Sequence, residues 1–306
     1  MRRIHLDTDL GSDTDDLCAL AMLLGWPGTE VTGVTTVSDP GGIRAGMSAH
    51  ALELGGRPAV PLAAGAAGSL AGFTIDLAFP GYWPEPVAPR PSPTGAAIEL
   101  LVSAAERGDT IVAIGPWTNL AIVEAARPGL LASTEVVVMG GHVPPSPAGY
   151  PAWDASIDTN VQQDAFAAAV VLDRCDPTVV PLSACVRATL RRSQLGALRS
   201  GGPLARLLAD QAEALGRDHG MGELGRAYPR LPDDLLNFQY DPLACAIAAG
   251  WDGATVEELP VAARLSEGLL RMTIEDGATP TRLVTDVDAS SFDAAWLDAV
   301  LRASDR

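Results

Sequence analysis

The sequence predicts an α/β protein with a doubly wound, mostly parallel open sheet of Rossmann-like topology and a small C-terminal β/α extension. Short β-branched runs alternate with longer segments of helical periodicity along most of the chain. Acidic or Gly-rich turns follow many of these runs. A hydrophobic content of 47% with 19% charged residues is typical of a globular core. No repeat or long linker divides the 306 residues, so we expect a single domain over 1–306.

The first strand–turn–helix unit is the most acidic part of the chain. Ile4 and Leu6 predict a buried strand, and residues 17–24 have the apolar spacing of a helix. The turn between them contains Gly11 and most of a cluster of five aspartates: Asp7, Asp9, Asp13, Asp15 and Asp16. Because ligands bind at the carboxyl ends of strands in open α/β sheets, we expect a site at this turn.

A cluster of five carboxylates indicates a bound cation. Neighbouring carboxylates raise each other's pKa unless a cation lies among them, and Ca²⁺ accepts irregular cages of oxygen ligands. The alternative is that acids in a first helical turn favour the helix dipole, which explains only Asp15 and Asp16. An EF-hand is excluded, because the twelfth positions counted from Asp7 and Asp9 are Cys18 and Leu20 rather than Glu.

The same signals predict the remaining elements in chain order. We expect further strands at 31–37, 58–62, 110–114, 135–139 and 178–182. We expect helices at 43–54, at 94–107, at 190–215 with a break at 201–203, and at 240–249. Two further helices are expected to end at 126 and at 172. The C-terminal extension is predicted as strands 258–264, 269–274 and 282–285 and a helix at 292–302.

Two irregular segments are candidate binding loops. Residues 73–93 are rich in Pro and aromatic residues and are typical of a lid, with Tyr82 and Trp83 as its most interesting members. The favoured alternative for both rings is simple packing of the loop onto the body. Residues 217–232 are predicted to be a polar loop that carries His219 and Tyr228.

The overall composition excludes several classes of function. A net charge of −17 argues against a nucleic-acid partner. The absence of an apolar run of membrane-spanning length and of a signal-peptide core leads us to expect a cytoplasmic protein without a membrane partner. The four cysteines have no CxxC spacing and are expected to be reduced. Because the sequence contains no lysine, Schiff-base chemistry, pyridoxal phosphate attachment and a Walker P-loop are excluded.

Polar residues recur where the predicted strands end. They are Asp9, Asp39, Thr118, Asp158, Asn160 and Asp241. In a doubly wound sheet such positions converge on one crevice, and acidic groups with a divalent ion favour metal-activated water as the reagent. For Asp39 the alternative of an N-cap for the helix at 43–54 is equally favoured.

The assembled motifs resemble the calcium-dependent nucleoside hydrolase family of the inosine–uridine-preferring type. The stretch DTDLGSDTDDLCAL resembles the family's N-terminal signature, in a longer form with two extra residues before the Asp pair. Supporting segments in the expected order lie at 33–37, 60–65, 115–121, 138–141, 158–164 and 241–242. The resemblance therefore extends over nearly the whole chain.

The resemblance implies Ca²⁺ bound by Asp9, Asp16, the backbone carbonyl of Thr118, and Asp241. It also implies a nucleophilic water with Asp9 as its general base, and a small-molecule nucleoside as the substrate. The residues implied to bind that substrate are Asp15, Asp39, Met139, Asp158 and Asn160. Anionic groups stabilise the oxocarbenium-like state through which an N-ribosidic bond is cleaved. A homodimer or homotetramer is expected.

The sequence also departs from the family pattern. Tyr240 stands where many members have a His that protonates the leaving base. Tyr240 with Trp83 or Tyr82 is expected to stack on the base instead, which slightly favours purine ribosides. His219 or Tyr228 is an alternative proton relay, although an exposed loop histidine is favoured for His219.

Three further points stay open from the sequence. Residues 144–156 contain no match for the family's Asn at the 5′-hydroxyl, and Asp13 in the inserted part of the turn has no assigned role. A haloacid-dehalogenase-like phosphatase also begins with DxD but requires a lysine. A non-catalytic nucleoside- or sugar-binding protein on the same scaffold is the other alternative.

Overall fold

The computed structural model describes residues 1–72, 82–83 and 86–303, so part of the predicted lid at 73–93 lies outside the described residues. Its strands are β1 Arg2–Thr8, β2 Thr29–Thr36, β3 Leu62–Ala64, β4 Thr110–Ala113, β5 Val136–Met139, β6 Thr178–Val180, β7 Thr189–Arg191, β8 Leu235–Phe238, β9 Ala254–Ser266, β10 Leu269–Ile274 and β11 Pro280–Val287.

The helices alternate with these strands along most of the chain. They are α1 Asp15–Gly25, α2 Ile43–Leu54, α3 Ala96–Glu106, α4 Thr118–Ala126, α5 Thr159–Gln163, α6 Ala165–Arg174, α7 Leu182–Cys185, α8 Leu195–Ser200, α9 Pro203–Asp218, α10 Met221–Ala227, α11 Tyr240–Ala248 and α12 Ala289–Ala303. Among these helices, none combines the length and the apolar character that a membrane span requires.

Nine of the strands form one sheet, in the order β10-β9-β11-β6-β5-β4-β1-β2-β3. The six strands from β3 to β6 are parallel and have the Rossmann order 3-2-1-4-5-6. Strand β11 continues the parallel part beside β6, and β9 and β10 add an antiparallel edge. The predicted doubly wound, mostly parallel sheet with a small C-terminal β/α extension is confirmed.

Buried apolar side chains cover both faces of the central strands. In β1, Ile4 and Leu6 are fully buried in one core layer, which helices α1, α11 and α12 complete. On the other face, Ile111 and Ala113 of β4 belong to a second layer with helices α3, α4 and α6. Strands buried on both faces read as continuous apolar runs, which is why their positions were predictable.

The direction of the chain reverses between β1 and β4, and this determines where a ligand can bind. Strand β2 lies on one side of β1, and β4 lies on the other. The connections from these strands therefore leave toward opposite faces of the sheet, which opens a crevice beyond the carboxyl ends of β1 and β4. The acidic turn after β1 lies at this crevice.

The structure differs from the predicted elements in three places. The segment 217–232 is not a continuous loop, because Met221–Ala227 is a helix. Strands β7 and β8 form a small antiparallel sheet in which β7 replaces the start of a predicted helix. Strand β3 begins at Leu62 rather than Pro58, since Pro58 and Pro61 have no backbone N–H to donate to a neighbouring strand.

Candidate active site

A cavity of about 460 Å³ lies at the carboxyl ends of β1, β4 and β5. It brings together nine of the residues that the sequence analysis selected: Asp9, Asp15, Asp16, Met139, Asp158, Asn160, His219, Tyr240 and Asp241. Residues that the sequence analysis did not select also line it, among them Ser12, Ile114, Gln163 and Leu182. The side chains come from segments more than 200 residues apart in the sequence, so the fold alone places them together.

Three buried carboxylates form the centre of this cavity, and we refer to Asp15, Asp16 and Asp241 as the cradle. One oxygen of each lies within 4.8 Å of one oxygen of the other two. Asp15 and Asp16 begin α1, and Asp241 lies in the first turn of α11. The amino-terminal ends of two helices therefore meet here, and their dipoles favour negative charge.

The electrostatics of the cradle indicate a missing positive charge. Burial raises the pKa of all three carboxyl groups well above 3.8, and repulsion from neighbouring aspartates raises it further. The Thr8 hydroxyl donates to Asp16, but no described side chain donates a hydrogen bond to Asp15 or Asp241. Hard divalent cations prefer such oxygen ligands, so the donor set fits a metal ion of this kind.

Asp9 lies at the same cavity but outside this close set, and it has a buried cationic neighbour. The Nη2 atom of Arg44 lies 3.7 Å from Asp9 Oδ2, and the Arg44 side chain is only 3% exposed. Burial raises the pKa of Asp9, and the guanidinium of Arg44 opposes that change. A Cβ on Gly115 would approach Asp9 Oδ1 to 2.9 Å, so this position at the end of β4 must be a glycine.

Asp13, whose role the sequence left open, fastens the acidic turn to strand β8. Its Oδ1 accepts hydrogen bonds from Asn237 Nδ2 at 2.7 Å and from the backbone N–H of Thr14 at 2.5 Å. The extra residues of the turn therefore have a structural partner 224 positions away in the chain. Asp13 also lines the cavity.

The segment around α5 forms a second wall. Asp158 caps α5 by accepting a hydrogen bond from Val161 N at 3.2 Å, and it also accepts one from Gly141 N. Burial raises the pKa of Asp158 to about 6. Asn160 donates from Nδ2 to the Ile114 carbonyl at 2.7 Å, which leaves its Oδ1 for a ligand.

Tyr240 lines a third wall of the cavity, and two further aromatic rings pack against it from outside the lining. Its ring centroid lies 5.4 Å from that of Phe238 and 6.3 Å from that of Trp153. Burial and the charge of Asp15 raise the pKa of Tyr240 well above 10, so its hydroxyl keeps its proton at neutral pH. The sequence analysis did not select Trp153, although an aromatic residue in the divergent loop 144–156 is a signal that could have identified it.

Two residues predicted at the site have other contacts. Thr118 does not line the cavity, and its hydroxyl donates to Asp164 Oδ2 at 2.7 Å. The strand-end residue that does line the cavity is Ile114, four positions earlier. Asp39 accepts hydrogen bonds from the N–H groups of Arg44 and Ala45 at 2.8 and 3.0 Å. Its side chain therefore caps the first turn of α2, which was the alternative to a substrate-binding role for Asp39.

Three aromatic residues predicted on the loops lie outside the lining of the cavity in the described part of the chain. Trp83 Nε1 donates to the Gly11 carbonyl at 3.3 Å, and its ring meets His50 edge-on at 6.1 Å. Tyr82 donates to Asp218 at 3.1 Å. Tyr228 packs in a small apolar cluster with Phe238. The two lid residues therefore fasten their loop to the body, and Trp83 does so beside the acidic turn.

The fold and the site together define a class of protein. A Rossmann-ordered sheet presents an acidic, cation-binding cradle at its switch point, beside a wall of amide and aromatic side chains. Such a site suits a metal-assisted hydrolase of a small polar molecule that has a flat substituent. Residues 4–294 match the family model described as inosine-uridine preferring nucleoside hydrolase, and the chain belongs to this family. It is therefore an N-ribosyl hydrolase of ribonucleosides.

Individual relatives agree with this assignment. The pyrimidine-specific ribonucleoside hydrolase RihA of Klebsiella pneumoniae is 30% identical over 225 residues, which cover 68% of this chain and 69% of the relative. A plant nucleoside hydrolase, the PpNRh1 enzyme, superposes with a TM-score of 0.80 at 18% identity over 98% of this chain and 99% of its own. A purine-preferring ribonucleoside hydrolase from Gardnerella vaginalis gives 0.78 at 19% identity over 100% of both chains.

Proposed function

We propose that this enzyme releases the base from ribonucleosides with a Ca²⁺ ion held at the cradle, and that purine ribosides are slightly favoured. The observation that carries this proposal is the convergence of three buried carboxylates within 4.8 Å of one another, at the crevice of a nucleoside-hydrolase fold. Because burial and mutual repulsion disfavour their ionised forms, a divalent cation is the partner that best compensates them.

The ligand set that we propose modifies the one expected from the sequence. Asp16 and Asp241 remain ligands, Asp15 joins them as the third member of the close set, and Asp9 lines the same cavity. The Ile114 carbonyl replaces that of Thr118, because Ile114 lines the cavity and Thr118 does not. When bound, Ca²⁺ would supply a Lewis acid that makes a water more acidic and attracts the 2′- and 3′-hydroxyls of ribose.

The residues of the chain then have separate roles. Asp9 accepts the proton of the attacking water, and the buried guanidinium of Arg44 lies 3.7 Å from it and helps to hold it in place. Asp15 and the free Oδ1 of Asn160 accept hydrogen bonds from ribose hydroxyls. The surrounding carboxylates stabilise the positive charge that develops on the sugar as the N-glycosidic bond breaks.

Departure of the base depends on the aromatic wall. Since burial raises the pKa of Tyr240, its phenol is a weak acid, and stacking with a hydrogen bond suits it better than proton transfer. His219 lines the same cavity from the end of α9 and is the alternative proton donor. Trp153 packs beside Tyr240, with ring centroids 6.3 Å apart, and supports the ring that lines the cavity.

This aromatic surface supports a purine preference, because a bicyclic base gains more from stacking than a single ring. The named relatives divide on this point, since the RihA proteins are described as pyrimidine-specific and the Gardnerella protein as purine-preferring. The base is therefore the feature of the proposal that a substrate scan tests most directly.

The test is a scan of purine, pyrimidine and 4-nitrophenyl ribosides after removal of bound metal with EDTA. Ribose release is followed as reducing sugar with Ca²⁺, Mg²⁺ or no metal added back. We expect release with Ca²⁺, little without metal, and kcat/KM a few-fold higher for purine than for pyrimidine ribosides. Isothermal titration of the metal-free protein with Ca²⁺ gives a second measurement that does not depend on turnover.

A matched pair of variants separates the cradle from general damage to the acidic edge of the sheet. Asp241→Asn should abolish both Ca²⁺ binding and turnover. Asp164→Asn should retain both. Asp164 caps α6 by accepting a hydrogen bond from Ala167 N, and an asparagine keeps one oxygen that can accept it. Equal Ca²⁺ affinity in the wild type and Asp241→Asn would contradict the proposed cradle. The homo-oligomer expected from the sequence stays a prediction, which sedimentation equilibrium measures directly.

A further inference from the structure

The acidic cavity contains more carboxyl groups than one divalent ion can compensate. Six aspartates line it: Asp9, Asp13, Asp15, Asp16, Asp158 and Asp241. Three of them form the cradle, and the guanidinium of Arg44 lies beside Asp9. Among the described residues that line the cavity there is no arginine, and His219 is the one side chain that can carry a positive charge. With an ion at the cradle, the cavity therefore keeps an excess of negative charge, which attracts a cationic ligand.

Asp13 lies on the side of this cavity that Tyr240 occupies. Its Oδ1 accepts a hydrogen bond from Asn237 Nδ2 at 2.7 Å, and Asn237 precedes Tyr240 by three positions. The same oxygen accepts from the backbone N–H of Thr14. Within the described part of the chain no donor contacts Oδ2, and the side chain is partly exposed. The two hydrogen bonds thus hold the carboxylate in place and leave one oxygen for a ligand.

This side of the cavity gives little help to a base that must leave with a proton. Tyr240 stands where many members of the family have a histidine, and a phenol is a much weaker acid than an imidazolium ion. The carboxylate of Asp13 would also repel the negative charge that develops on a neutral base as its bond to carbon 1 of ribose breaks. Tyr240 and Asp13 therefore both disfavour the departure of an anionic base.

A base that carries a positive charge removes both difficulties. When the bond between carbon 1 and the ring nitrogen breaks, its electron pair stays on the nitrogen and neutralises the charge. The base then leaves as a neutral molecule without a proton. Water adds to carbon 1, and its proton passes to Asp9, as in the proposed function. Before cleavage, the carboxylate of Asp13 and the electron-rich ring of Tyr240 both attract the cation.

We propose that the enzyme acts preferentially on ribosides whose heteroaromatic base is cationic, such as a pyridinium or an N7-alkylated purine, and that Asp13 selects them. This inference rests on the proposed function, because it takes the ribose to lie at the cradle and the base to lie beside Tyr240. It is compatible with a purine preference, since a purine alkylated at N7 is both bicyclic and cationic. The longer acidic turn, which carries Asp13, then takes part in the choice of the base.

The experiment compares two ribosides whose leaving groups depart without a proton but with opposite changes of charge. From N-ribosylpyridinium the base leaves as neutral pyridine, and from 4-nitrophenyl riboside the leaving group departs as a stable phenolate. Inosine is the neutral nucleoside for reference. The values of kcat and KM are measured for each substrate at saturating Ca²⁺. We expect the wild-type kcat/KM for the pyridinium riboside to be at least about tenfold above that for inosine.

Asp13→Asn tests the residue that the proposal names. Asparagine keeps an oxygen that can accept from Asn237, so the turn stays anchored while the charge is lost. The KM for the pyridinium riboside should rise by roughly tenfold, and its kcat should change less, because the positive charge moves from the base to the sugar during cleavage. The kcat for the 4-nitrophenyl riboside should stay the same or rise, since the developing phenolate no longer meets a carboxylate.

Asp218→Asn is the matched control. Asp218 precedes His219 but does not belong to the described lining of the cavity, and it pairs with Arg217 at the surface. The variant makes the same change of charge outside the cavity, so KM for each substrate should stay within about twofold of the wild-type value. Circular dichroism and thermal unfolding confirm that each variant is folded.

Ionic strength gives a second measurement that needs no variant. Between about 0.01 M and about 1 M salt the Debye length falls from about 30 Å to about 3 Å. The wild-type KM for the pyridinium riboside should therefore rise several-fold over this range, whereas the KM for inosine should hardly change. If Asp13→Asn does not fold, this measurement and the wild-type comparison still test the proposal.

The possible results separate this proposal from the proposed function. A wild type that turns over inosine at least as well as the pyridinium riboside would overturn the proposal, and so would a pyridinium KM that does not respond to salt. An unchanged pyridinium KM in Asp13→Asn, or equal losses on the pyridinium and 4-nitrophenyl ribosides, would overturn the role of Asp13. Absence of ribose release from every riboside, inosine included, would instead contradict the proposed function itself.

Discussion

Two sets of buried aspartates lie at the same edge of the sheet, and their surroundings differ. The cradle carboxylates face a shared cavity, and within the part of the chain that the structure describes the Thr8 hydroxyl is their one side-chain donor. The second set accepts backbone N–H groups at the starts of helices. These capping aspartates are Asp39 at α2, Asp158 at α5 and Asp164 at α6.

The difference shows that an aspartate after a strand can have either of two roles. A capping carboxylate has its charge compensated by amide donors of its own segment, so it needs no ion. A cradle carboxylate faces other carboxylates from distant segments, so the chain compensates its charge incompletely and a cation can supply the rest. The two sets should therefore respond differently to mutation, to metal and to pH.

The largest effect is expected for Asp241→Asn. Loss of a charged ligand should lower kcat/KM by roughly 10³-fold or more, because binding and activation both depend on it. In EDTA the same variant should melt at a higher temperature than the wild type, since one source of buried repulsion is gone. Differential scanning calorimetry with and without Ca²⁺ checks this, and a lower melting temperature in EDTA would contradict it.

Removal of the buried cation beside Asp9 should have the next largest effect. Arg44→Met leaves a buried carboxylate without its partner, which costs about 3–5 kcal/mol for pairs of this kind. The loss should be larger in EDTA than in Ca²⁺, because the ion supplies positive charge to the same cavity. Urea unfolding under both conditions measures it, and Arg44→Lys, which keeps the charge, should lie between the variant and the wild type.

The pH dependence of stability should have opposite signs without and with metal. The folded cradle has pKa values raised above 3.8, so above that pH the metal-free folded protein binds more protons than the unfolded chain. The contribution of the cradle to stability in EDTA should therefore be greatest near and below pH 3.8 and fall as pH rises through the folded pKa values. Saturating Ca²⁺ keeps the carboxylates ionised, so its stabilisation should grow over the same range.

The stability in saturating Ca²⁺ minus the stability in EDTA, plotted against pH, isolates the contribution of the cradle. His5 is fully buried and its pKa is lowered to about 3, so it reduces stability as pH falls below 6.5. This contribution is the same in EDTA and in Ca²⁺ and cancels in the difference. A difference curve that does not change with pH would show that the cradle does not bind the ion.

The smallest effect is expected in the capping set. Asp39→Ala removes the acceptor for the first N–H groups of α2 and should cost about 1–2 kcal/mol. The loss should be equal in EDTA and in Ca²⁺, since Asp39 lies outside the cradle. Chemical unfolding measures both values, and Asp39→Asn, which retains one acceptor oxygen, should recover part of the loss.

Sequence reasoning predicted the order of strands and helices and the position of the site because both depend on local signals. The alternation of apolar runs predicts a parallel sheet, and Asp9, Asp15 and Asp16 follow the first strand within a few positions. Errors occurred where the local signal was ambiguous. A polar residue after a strand suggested Thr118, whereas an apolar residue, Ile114, lines the cavity.

The sequence by itself determined the sheet, the acidic turn and the absence of lysine chemistry, since each is expressed in neighbouring residues or in composition. Only the tertiary structure decided which aspartates meet across more than 200 positions, and which cap the helix that follows them. It also brought Arg44 to Asp9. The physical reason is that side-chain partners are set by three-dimensional packing, to which residue type and spacing along the chain are only an indirect guide.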